Sequence, residues 1–485
     1  MRIAFEARGK YRKQFVDFTA AYIKNIDGLL HFGDRQSDFD VTGLVRNKIL
    51  KGRKGFLLTR DEFLYKDNNW KTDHYLDEHF EVFKDQLRRN SGDFVKRGHK
   101  LDLVRDYYNF YRALSSKIEL LYSKQKITHV VFFEIPHLAI DYVLYTVAQK
   151  LGIPTLILSQ KIPGKIFSMW NINDFGNLQI NTELKLAEEV KKNDVNLFYM
   201  DASWQERSQR GQFNLNELVR LLRNIACNRP KLLLSPIDLI DIIKRTRSVK
   251  TSLPYWRDFI KFDFSEAQLQ YFEKLCDFEC NQPDLNANFI YVPLHLQPEM
   301  TTSSLGGEFV DQALLIETLS KLLPEGWKIY VKENPKQSCY DRPLRFFERI
   351  NNLTNVLFVP ADTDTNELSA KARIVATVSG VAGWEAIKLG TPALIFGVTW
   401  YASMPGVFKY NENIDLIKIA SFRINKQILE RSINQLFSKT HEGNIDKVYF
   451  KHVEHFNKET NAKTVGKLIG DLLSGNQRTT FSKSA

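Results

Sequence analysis

One stretch of the sequence has the residue types and spacing of a turn that binds an anion. The apolar or β-branched run Ile374 to Val378 predicts a buried strand, and the small pair Ser379-Gly380 follows it directly. Val381 to Leu389 then predicts a short helix, which Gly390 can end in the left-handed conformation. The first N–H groups of such a helix are unpaired, and small residues before them let a phosphate group approach the backbone. We therefore predict a phosphate site at this turn.

A carboxylate lies at a useful distance beyond the turn. Glu385 is four residues after Val381, so it can reach a ribose hydroxyl while a phosphate stays at the turn. The combination predicts a nucleotide or sugar-nucleotide site. The alternative is a glycine turn of an ordinary α/β sheet with Glu385 in solvent, because glycine signatures of this kind also occur in proteins that bind no nucleotide.

A second group of polar residues follows a predicted strand in the N-terminal half. Glu134 and His137 come directly after the strand Thr128 to Phe133, and Asp141 is one helical turn beyond His137. Ligands of open α/β sheets bind beyond the carboxyl ends of the strands, so these three residues are candidates for the catalytic group. Lys161, at the end of the next strand, is expected at the same edge. The alternative is a polar strand end followed by the start of a helix.

The predicted strands of the C-terminal half also end in polar residues. These are His295 and Gln297, then Lys332 and Asn334, and then Ser379 and Gly380. Because the carboxyl ends of parallel strands meet at one edge of a sheet, we expect these residues to surround a nucleotide. Lys332 can neutralise a phosphate as a point charge, and Asn334 and Ser379 can donate hydrogen bonds to it.

The elements that position these residues form two strand-helix-strand units. The first runs from Thr128 to Leu158 and the second from Ile374 to Phe396. Two such units about 240 residues apart predict an α/β protein with two Rossmann-like halves.

Three segments of the C-terminal half resemble a known family. PLHLQPE (Pro293 to Glu299), VKENP (Val331 to Pro335) and TVSGVAGWEAIKLGTPALIFGVTWY, which ends at Tyr401, resemble the bacterial capsule polysaccharide biosynthesis family. That family includes retaining Kdo transferases with a GT-B fold. Its Gln-Pro motif is matched by Gln297-Pro298, and its Gly-Trp-Glu-Ala segment is matched from Gly383 onward. Its Lys-Glu-His-Pro motif is not fully matched, because Asn334 replaces the histidine and cannot carry a positive charge.

The resemblance implies a GT-B-like α/β fold in which two Rossmann-like domains face a cleft and C-terminal helices cross back. We expect an acceptor-side domain over residues 1–285, a nucleotide-sugar domain over 286–445, and crossing helices with a tail over 446–485. The helices predicted near the C-terminus are Gln427 to Ser438 and Val448 to Leu473. The polar residues from Ser474 onward are expected to be disordered.

The implied function is a cytoplasmic glycosyltransferase for bacterial surface polysaccharide. Its donor is a nucleotide-activated sugar, with CMP-Kdo or a related acidic sugar expected first, and its acceptor is a glycan or glycolipid. No cofactor beyond the donor is expected, and no metal, because GT-B enzymes rely on helix dipoles and basic groups. The pair Asp362 and Asp364 resembles a metal-binding Asp-x-Asp motif, but a helix follows, so capping explains it better. Trp400 and Tyr401 either stack on a base or sugar or pack in the interior.

Other functions remain compatible with the same sequence. A teichoic-acid-type polyol-phosphate transferase and a UDP-sugar 2-epimerase would share the fold and differ in chemistry. A protein of another class would be a non-catalytic polysaccharide-assembly or membrane-associated binding protein.

Composition narrows the choice of partner and location. Lys and Arg exceed Asp and Glu by 11, and this positive charge is spread along the chain. Because no nucleic-acid-binding motif accompanies the charge, an anionic sugar is the expected partner and nucleic acid is not. The start MRIAFEARGKYRK does not resemble a signal peptide, and no segment has the apolar length of a membrane span. The four cysteines are scattered without a zinc pattern, and no disulfide is expected.

Two segments have less regular patterns. Residues 34–100 are charged and are expected to be rich in loops. Residues 203–261 mix basic and apolar residues, which predicts either helices that bridge the domains or an in-plane helix in peripheral contact with the inner membrane. Bridging helices are favoured, because Pro230, Pro236 and Pro254 interrupt any long amphipathic helix.

Overall fold

The computed structural model arranges the chain in two compact units, each built on one sheet. It describes residues 1–33, 37–40, 73–90, 104–178, 235–237, 282–297, 299–334, 337, 342, 344–360 and 363–482. Among these, the first unit contains the residues up to 178, the short segment 299–305 and the chain from Glu430 onward, and the second contains 282–297 and 306–429.

The described residues form strands and helices with the following bounds. The strands are β1 (Arg2–Glu6), β2 (Gly28–Gly33), β3 (Phe39–Asp40), β4 (His129–Phe132), β5 (Thr155–Ile162), β6 (Lys165–Met169), β7 (Phe289–Pro293), β8 (Lys328–Lys332), β9 (Val356–Val359), β10 (Ile374–Thr377), β11 (Ala393–Ile395), β12 (Val407–Lys409) and β13 (His441–Glu442). The α-helices are α1 (Gly9–Tyr22), α2 (His74–Glu78), α3 (Phe80–Asn90), α4 (Val104–Lys124), α5 (Ile140–Lys150), α6 (Gln312–Leu322), α7 (Leu344–Asn351), α8 (Thr365–Lys371), α9 (Val381–Leu389), α10 (Leu416–Ser421), α11 (Lys426–Ser438) and α12 (Lys458–Leu473). A π-helical turn occupies Met300–Ser304, and 3-10 turns occupy Ile172–Asp174, Gly307–Val310 and Lys447–His452.

The second unit has a wholly parallel sheet with the order β9-β8-β7-β10-β11-β12. The order reverses between β7 and β10, which makes this pair the topological switch point of a Rossmann sheet. Along β7, Ile290 and Val292 enter the apolar cluster on one face, and Phe289 and Tyr291 enter the cluster on the other. Because both faces are covered, the strands are almost continuously apolar, and polar residues concentrate where the strands end.

The first unit repeats this arrangement in the order β3-β2-β1-β4-β5, all parallel, and adds β6 and β13 as antiparallel strands. Its C-terminal helix α12 packs on α1. A Cβ at Gly466 would lie 2.6 Å from the Cβ of Phe18, so glycine is what allows the two helices to approach so closely. The predicted GT-B-like α/β class is confirmed in its two Rossmann-like sheets and in the return of the C-terminal helix to the first of them.

The expectation that residues 34–100 are mainly loops is wrong for the part that the structure describes. Helices α2 and α3 lie there, and Phe80, Phe83 and Leu87 are buried, with Phe83 against Tyr111 of α4 at a ring-centroid distance of 4.9 Å. This apolar face is narrow and is surrounded in sequence by charged residues, which concealed its helical period.

The C-terminal part also differs from expectation in two places. The helix predicted from Val448 begins only at Lys458, since the chain passes through a 3-10 turn and a positive φ of 53° at His455 before it. The tail after Ser474 is ordered as far as the structure describes it, because Phe481 is fully buried and stacks on Phe167 at 5.5 Å. Hydrogen bonds between Thr480 and Ser168 also anchor this polar segment.

The tail closes over a buried histidine in the first unit. His441 Nδ1 accepts a hydrogen bond from Gln477 Nε2 at 2.9 Å, so the ring proton lies on Nε2, which donates to Ser168 Oγ at 2.6 Å. Burial lowers the pKa of His441 to about 4. The imidazole is therefore neutral in the folded protein at ordinary pH.

Several expectations fall on residues that the structure does not describe. All four cysteines, Asp362 and, apart from 235–237, the segment 203–261 lie outside the described residues. Within the described chain, none of the helices combines the length and the hydropathy that a membrane span requires.

Candidate functional site

The switch point of the second sheet brings His295 against the predicted turn. His295 lies two residues beyond β7, and its Nε2 is 2.8 Å from Oγ1 of Thr377, the last residue of β10. The same hydroxyl oxygen accepts a hydrogen bond from Gly380 N at 3.2 Å. One threonine therefore joins the ends of the two central strands to the start of α9.

Gly380 is required by this close approach. A Cβ placed on Gly380 would lie 2.2 Å from His295 Cε1 and 3.0 Å from Thr377 Oγ1. The φ of Gly380 is −76°, which any residue can adopt. The need for glycine thus comes from the imidazole beside it and not from the backbone conformation.

Helix α9 presents its N-terminus at this point. It runs from Val381 to Leu389, and Gly390 ends it in the left-handed conformation with a φ of 92°, as predicted. Its N-cap residue, Gly380, has no side chain that could cap it, and its first turn contains no acidic residue. Ser379, which precedes it, is buried. Backbone N–H groups with the positive end of a helix dipole are suited to an anion.

The aromatic residues that follow β11, Trp400 and Tyr401, pack against α9 and the turn at Gly380. Gly383 admits the ring of Tyr401, since a Cβ there would be 2.5 Å from the Tyr401 hydroxyl. That hydroxyl donates a hydrogen bond to the carbonyl of Gly380. Trp384 and Trp400 pack with ring centroids 4.5 Å apart, and both are buried. Of the two roles open for Trp400 and Tyr401, interior packing is the one observed.

Glu385 lies on α9 with its side chain 20% exposed. Its carboxylate is 3.9 Å from Lys388 Nζ. Burial raises the pKa of Glu385, and the nearby Lys388 offsets only part of this effect. A half-buried carboxylate with few charged neighbours is suited to accept hydrogen bonds from hydroxyl groups of a ligand.

Lys332 ends β8, and Asn334 lies two residues beyond it. The Lys332 ammonium donates to the carbonyl oxygen of Thr363 and, at 2.9 Å, to Thr365 Oγ1, so it connects the end of β8 to the start of α8. Asn334 is half-buried, and its backbone N–H donates to Glu333 Oε1 at 2.7 Å. Asp364 caps α8 as predicted, accepting from Asn366 N at 2.7 Å.

Gln297 is fixed by two other glutamines. Its side-chain Oε1 accepts from Gln312 Nε2 at 3.1 Å, and its backbone N–H donates to Gln337 Oε1 at 2.8 Å. Gln312 and Gln337 are almost fully buried, and sequence reasoning missed both. Neither gave a signal, because a single glutamine at the start of a helix or in a polar loop is usually exposed.

At the switch point of the first sheet, Glu134 is held as an anion. Its Oε1 accepts from Ser159 Oγ at 2.6 Å and from Ile135 N at 3.0 Å, and Lys161 Nζ is 3.3 Å away. Burial by itself raises the pKa of Glu134, but Lys161 and the hydrogen bonds outweigh it, and the pKa is lowered. Glu134 is therefore a carboxylate at neutral pH and can accept a proton.

His137 and Asp141 shape the loop after β4. His137 Nδ1 is 2.6 Å from the Ile135 carbonyl, which only accepts, so Nδ1 carries the proton and Nε2 is the basic nitrogen. Both carboxylate oxygens of Asp141 accept backbone hydrogen bonds, from Leu138 N at 2.7 Å and from His137 N at 3.2 Å. The structure thus gives Asp141 a local role in holding the start of α5.

The same loop contains a strained residue. Ala139 has a φ of 68° and a ψ of −67°, and Ile140 N donates to Leu138 O across it at 2.9 Å. This is a γ-turn with positive φ, a rare conformation for alanine. Ala139 N donates to the buried Gln86 at 3.0 Å, which helps to stabilise the turn. Strain of this kind is concentrated at functional sites.

The predicted residues thus form two groups, one in each unit. His295, Gln297, Ser379, Gly380 and Glu385 lie at the carboxyl edge of the second sheet, and Glu134, His137 and Asp141 lie at that of the first.

Comparison with curated proteins and solved structures gives only low similarity. No curated protein matches the chain. Among solved structures, the chain is similar to "Thermosulfurimonas dismutans KpsC, beta Kdo 2,7 transferase", with 11% identity, a TM-score of 0.30, and coverage of 79% of this chain and 96% of that one. It is also similar to the UDP-GlcNAc 2-epimerase from Methanocaldococcus jannaschii, with 12% identity, a TM-score of 0.23, and coverage of 98% and 100%. Scores this low carry no functional argument.

The family comparison gives a clearer result. Residues 278–442 match the family described as "Capsule polysaccharide biosynthesis protein". The matched segment begins before β7 and ends at β13, so it contains the whole second sheet and its switch point. Over residues 278–442, about a third of its length, this chain is similar to the capsule polysaccharide biosynthesis family.

Proposed function

We propose that this protein is a metal-independent glycosyltransferase of bacterial surface polysaccharide synthesis. The donor is a nucleotide-activated sugar bound at the carboxyl edge of the second sheet, and the acceptor is a glycan or glycolipid. CMP-Kdo or a related acidic sugar is the first donor to test, on the strength of the family resemblance.

The observation that carries the proposal is the meeting of His295, Gly380 and the N-terminus of α9 at the switch point. Open α/β sheets bind nucleotides at this position. A phosphate at the helix N-terminus would be stabilised by backbone N–H groups and the helix dipole. Glu385, one turn further along α9, would accept hydrogen bonds from ribose hydroxyls.

The chemical step breaks the bond between the anomeric carbon and the phosphate oxygen of the donor. Its electron pair leaves with the phosphate, and the N-terminus of α9 stabilises the charge that develops there. The acceptor hydroxyl forms the new glycosidic bond and loses its proton. Glu134, which the structure holds as an anion, is the group we propose as the base, with His137 Nε2 as the alternative.

The first test is thermal unfolding with CMP, UDP, GDP and CDP in turn. A nucleotide at a hundred times its dissociation constant adds about 2.7 kcal/mol of stability. A shift with CMP would direct the next assay to CMP-sugars, where release of CMP should require an acceptor. If none of the four nucleotides shifts the midpoint, the donor-site assignment is wrong.

The variant Glu134→Gln then separates chemistry from binding. It should leave the nucleotide dissociation constant unchanged and lower kcat by roughly 10² to 10⁴, the usual contribution of a general base. Unchanged kcat would transfer the role of base to another group. Product analysis distinguishes the related chemistries, since an epimerase would convert a UDP-sugar without acceptor and a polyol-phosphate transferase would respond to CDP.

A further inference from the structure

The loop after β7 is held by buried side chains from other segments. His295 N donates to Gln312 Oε1 at 2.7 Å, and its carbonyl accepts from Gln312 Nε2 at 3.2 Å and from Arg342 Nη2 at 3.0 Å. Gln297 N donates to Gln337 Oε1 at 2.8 Å, and its carbonyl accepts from Gln337 Nε2 at 3.0 Å. Each glutamine thus pairs with both polar groups of one loop residue, as a neighbouring strand would.

Arg342 is the charged member of this group and is 1% exposed. It forms an ion pair with Glu333, with Nε 2.6 Å from Oε2 and Nη2 2.9 Å from Oε1. Its guanidinium lies over the ring of Phe346 at 4.5 Å. These contacts fix the plane of the guanidinium and, with it, the direction in which Nη2 meets the carbonyl of His295.

A buried ion pair is weak evidence for stability. Bringing both charges out of water is costly, and apolar residues of similar volume often serve the fold as well or better. The geometry here gives the pair a different use. It joins the segment after β8, through Glu333, to the segment after β7, through His295, at the edge where the donor site lies.

We propose that Arg342 and Gln337 are positioning residues of the donor site. They fix the backbone of the loop from His295 to Gln297, so that the imidazole stays beside Gly380 at the N-terminus of α9. Their role is exerted through the loop. This inference rests on the proposed function for the identity of the ligand, but the positioning itself is a property of the free protein.

The test compares Arg342→Lys and Gln337→Met with the control Arg349→Lys. Lysine keeps a positive charge beside Glu333 but has no planar fork to reach the His295 carbonyl at the same time. Gln337→Met leaves the ion pair intact and removes both bonds to Gln297, so it remains informative if Arg342→Lys folds poorly. Arg349 is a control in the same unit, because it is also an arginine paired with carboxylates, here those of Glu317 and Asp311.

Two measurements are made well below the unfolding midpoint of each variant. Hydrogen exchange of the free protein should be at least 10-fold faster in segment 294–297 of the two test variants, and unchanged there in Arg349→Lys. The dissociation constant of the nucleotide that stabilises the wild type, and the KM for its sugar donor, should rise at least 10-fold in the test variants only. A merely structural role would lower the midpoint and the active fraction without raising KM.

The outcomes separate this inference from the proposed function. Wild-type exchange in segment 294–297 of both test variants would overturn the positioning role, whatever the ligand. Faster exchange with an unchanged dissociation constant and KM would show that the loop does not serve the donor site, and would overturn it as well. If the wild type binds no nucleotide, the proposed function fails, and the exchange result alone decides whether Arg342 and Gln337 hold the loop.

Discussion

Replacing Gly380 by alanine is the most direct test of the candidate donor site. The new Cβ would be placed 2.2 Å from His295 Cε1, whereas ordinary van der Waals contact begins near 3.4 Å. The imidazole or the turn must therefore move by roughly 1.2 Å. The backbone of Gly380 has an ordinary φ, so the effect of the substitution comes from this collision alone.

The size of the effect of Gly380→Ala follows from the packing around His295. His295 is 9% exposed, and its ring is bound to Thr377 at 2.8 Å, so it cannot turn away without losing that hydrogen bond. Overpacking of a close-packed site costs about 1 to 3 kcal/mol. A displacement of about 1 Å in a group that positions substrate can lower the rate roughly 100-fold. We expect a moderate loss of stability and a much larger loss of donor binding or turnover.

The assay pairs the free energy of unfolding with the nucleotide dissociation constant. Gly28→Ala in β2 is the control, since its Cβ would meet the side chain of Arg2, with Cγ nearest at an ordinary 3.6 Å. The reasoning is refuted if Gly380→Ala binds nucleotide with wild-type affinity, because His295 and the turn would then tolerate a shift that the site is proposed to forbid. Equal losses of affinity in both variants would also contradict it.

Three further predictions concern pH and strain. Because burial raises the pKa of Glu385, nucleotide affinity should fall as the pH drops through that raised value. In Glu385→Gln, the affinity should no longer depend on pH in this range. If the variant keeps the pH dependence of the wild type, Glu385 is not part of the site. His441 has a pKa near 4 in the folded protein and 6.5 as its ordinary value, so the free energy of unfolding should fall by about 3 kcal/mol as the pH drops from 6.5 to 4. Chemical denaturation should show that slope flattened in His441→Gln. Ala139→Gly should leave stability unchanged or raise it by up to about 2 kcal/mol, because glycine relieves the positive φ, whereas the control Ala148→Gly within α5 should lose about 1 kcal/mol.

The sequence was most informative where local signals are strong. The bounds of α9 and its glycine cap were predicted to the residue, because an apolar strand, two small residues, a helix and a glycine define them without help from the rest of the chain. The hairpin strand β6 and the short strand β13 were not foreseen. Both depend on pairing with residues far away in sequence, His441 with Ile166 for example, and a single sequence does not show such pairs.

The candidate site likewise contains residues that the sequence predicted and residues that it did not. Gly380 and Glu385 were predicted from the turn, and the structure places Gly380 at the switch point and Glu385 one turn along α9. The contacts of the Lys332 ammonium with the start of α8 could not be predicted, since the direction of a long side chain depends on acceptors that the sequence does not reveal. Arg342 gave no signal at all, because an arginine in a polar segment is normally on the surface and only the fold shows that it is buried.

The Gly-Trp-Glu-Ala segment and the aromatic residues after β11 can now be understood as one unit with the turn. Gly383 is small so that the ring of Tyr401 fits against α9, and the Tyr401 hydroxyl then binds the carbonyl of Gly380. That bond fixes the carbonyl side of Gly380, a residue whose own N–H donates to Thr377 Oγ1 and whose missing Cβ leaves room for His295. Two glycines three residues apart therefore serve different purposes. Gly383 lets Tyr401 pack against α9, and Gly380 leaves room for His295. The segment from the turn to Glu385 resembles a ligand-binding signature along its whole length. Only the turn and Glu385 belong to the candidate site, and the residues between them hold the turn in place.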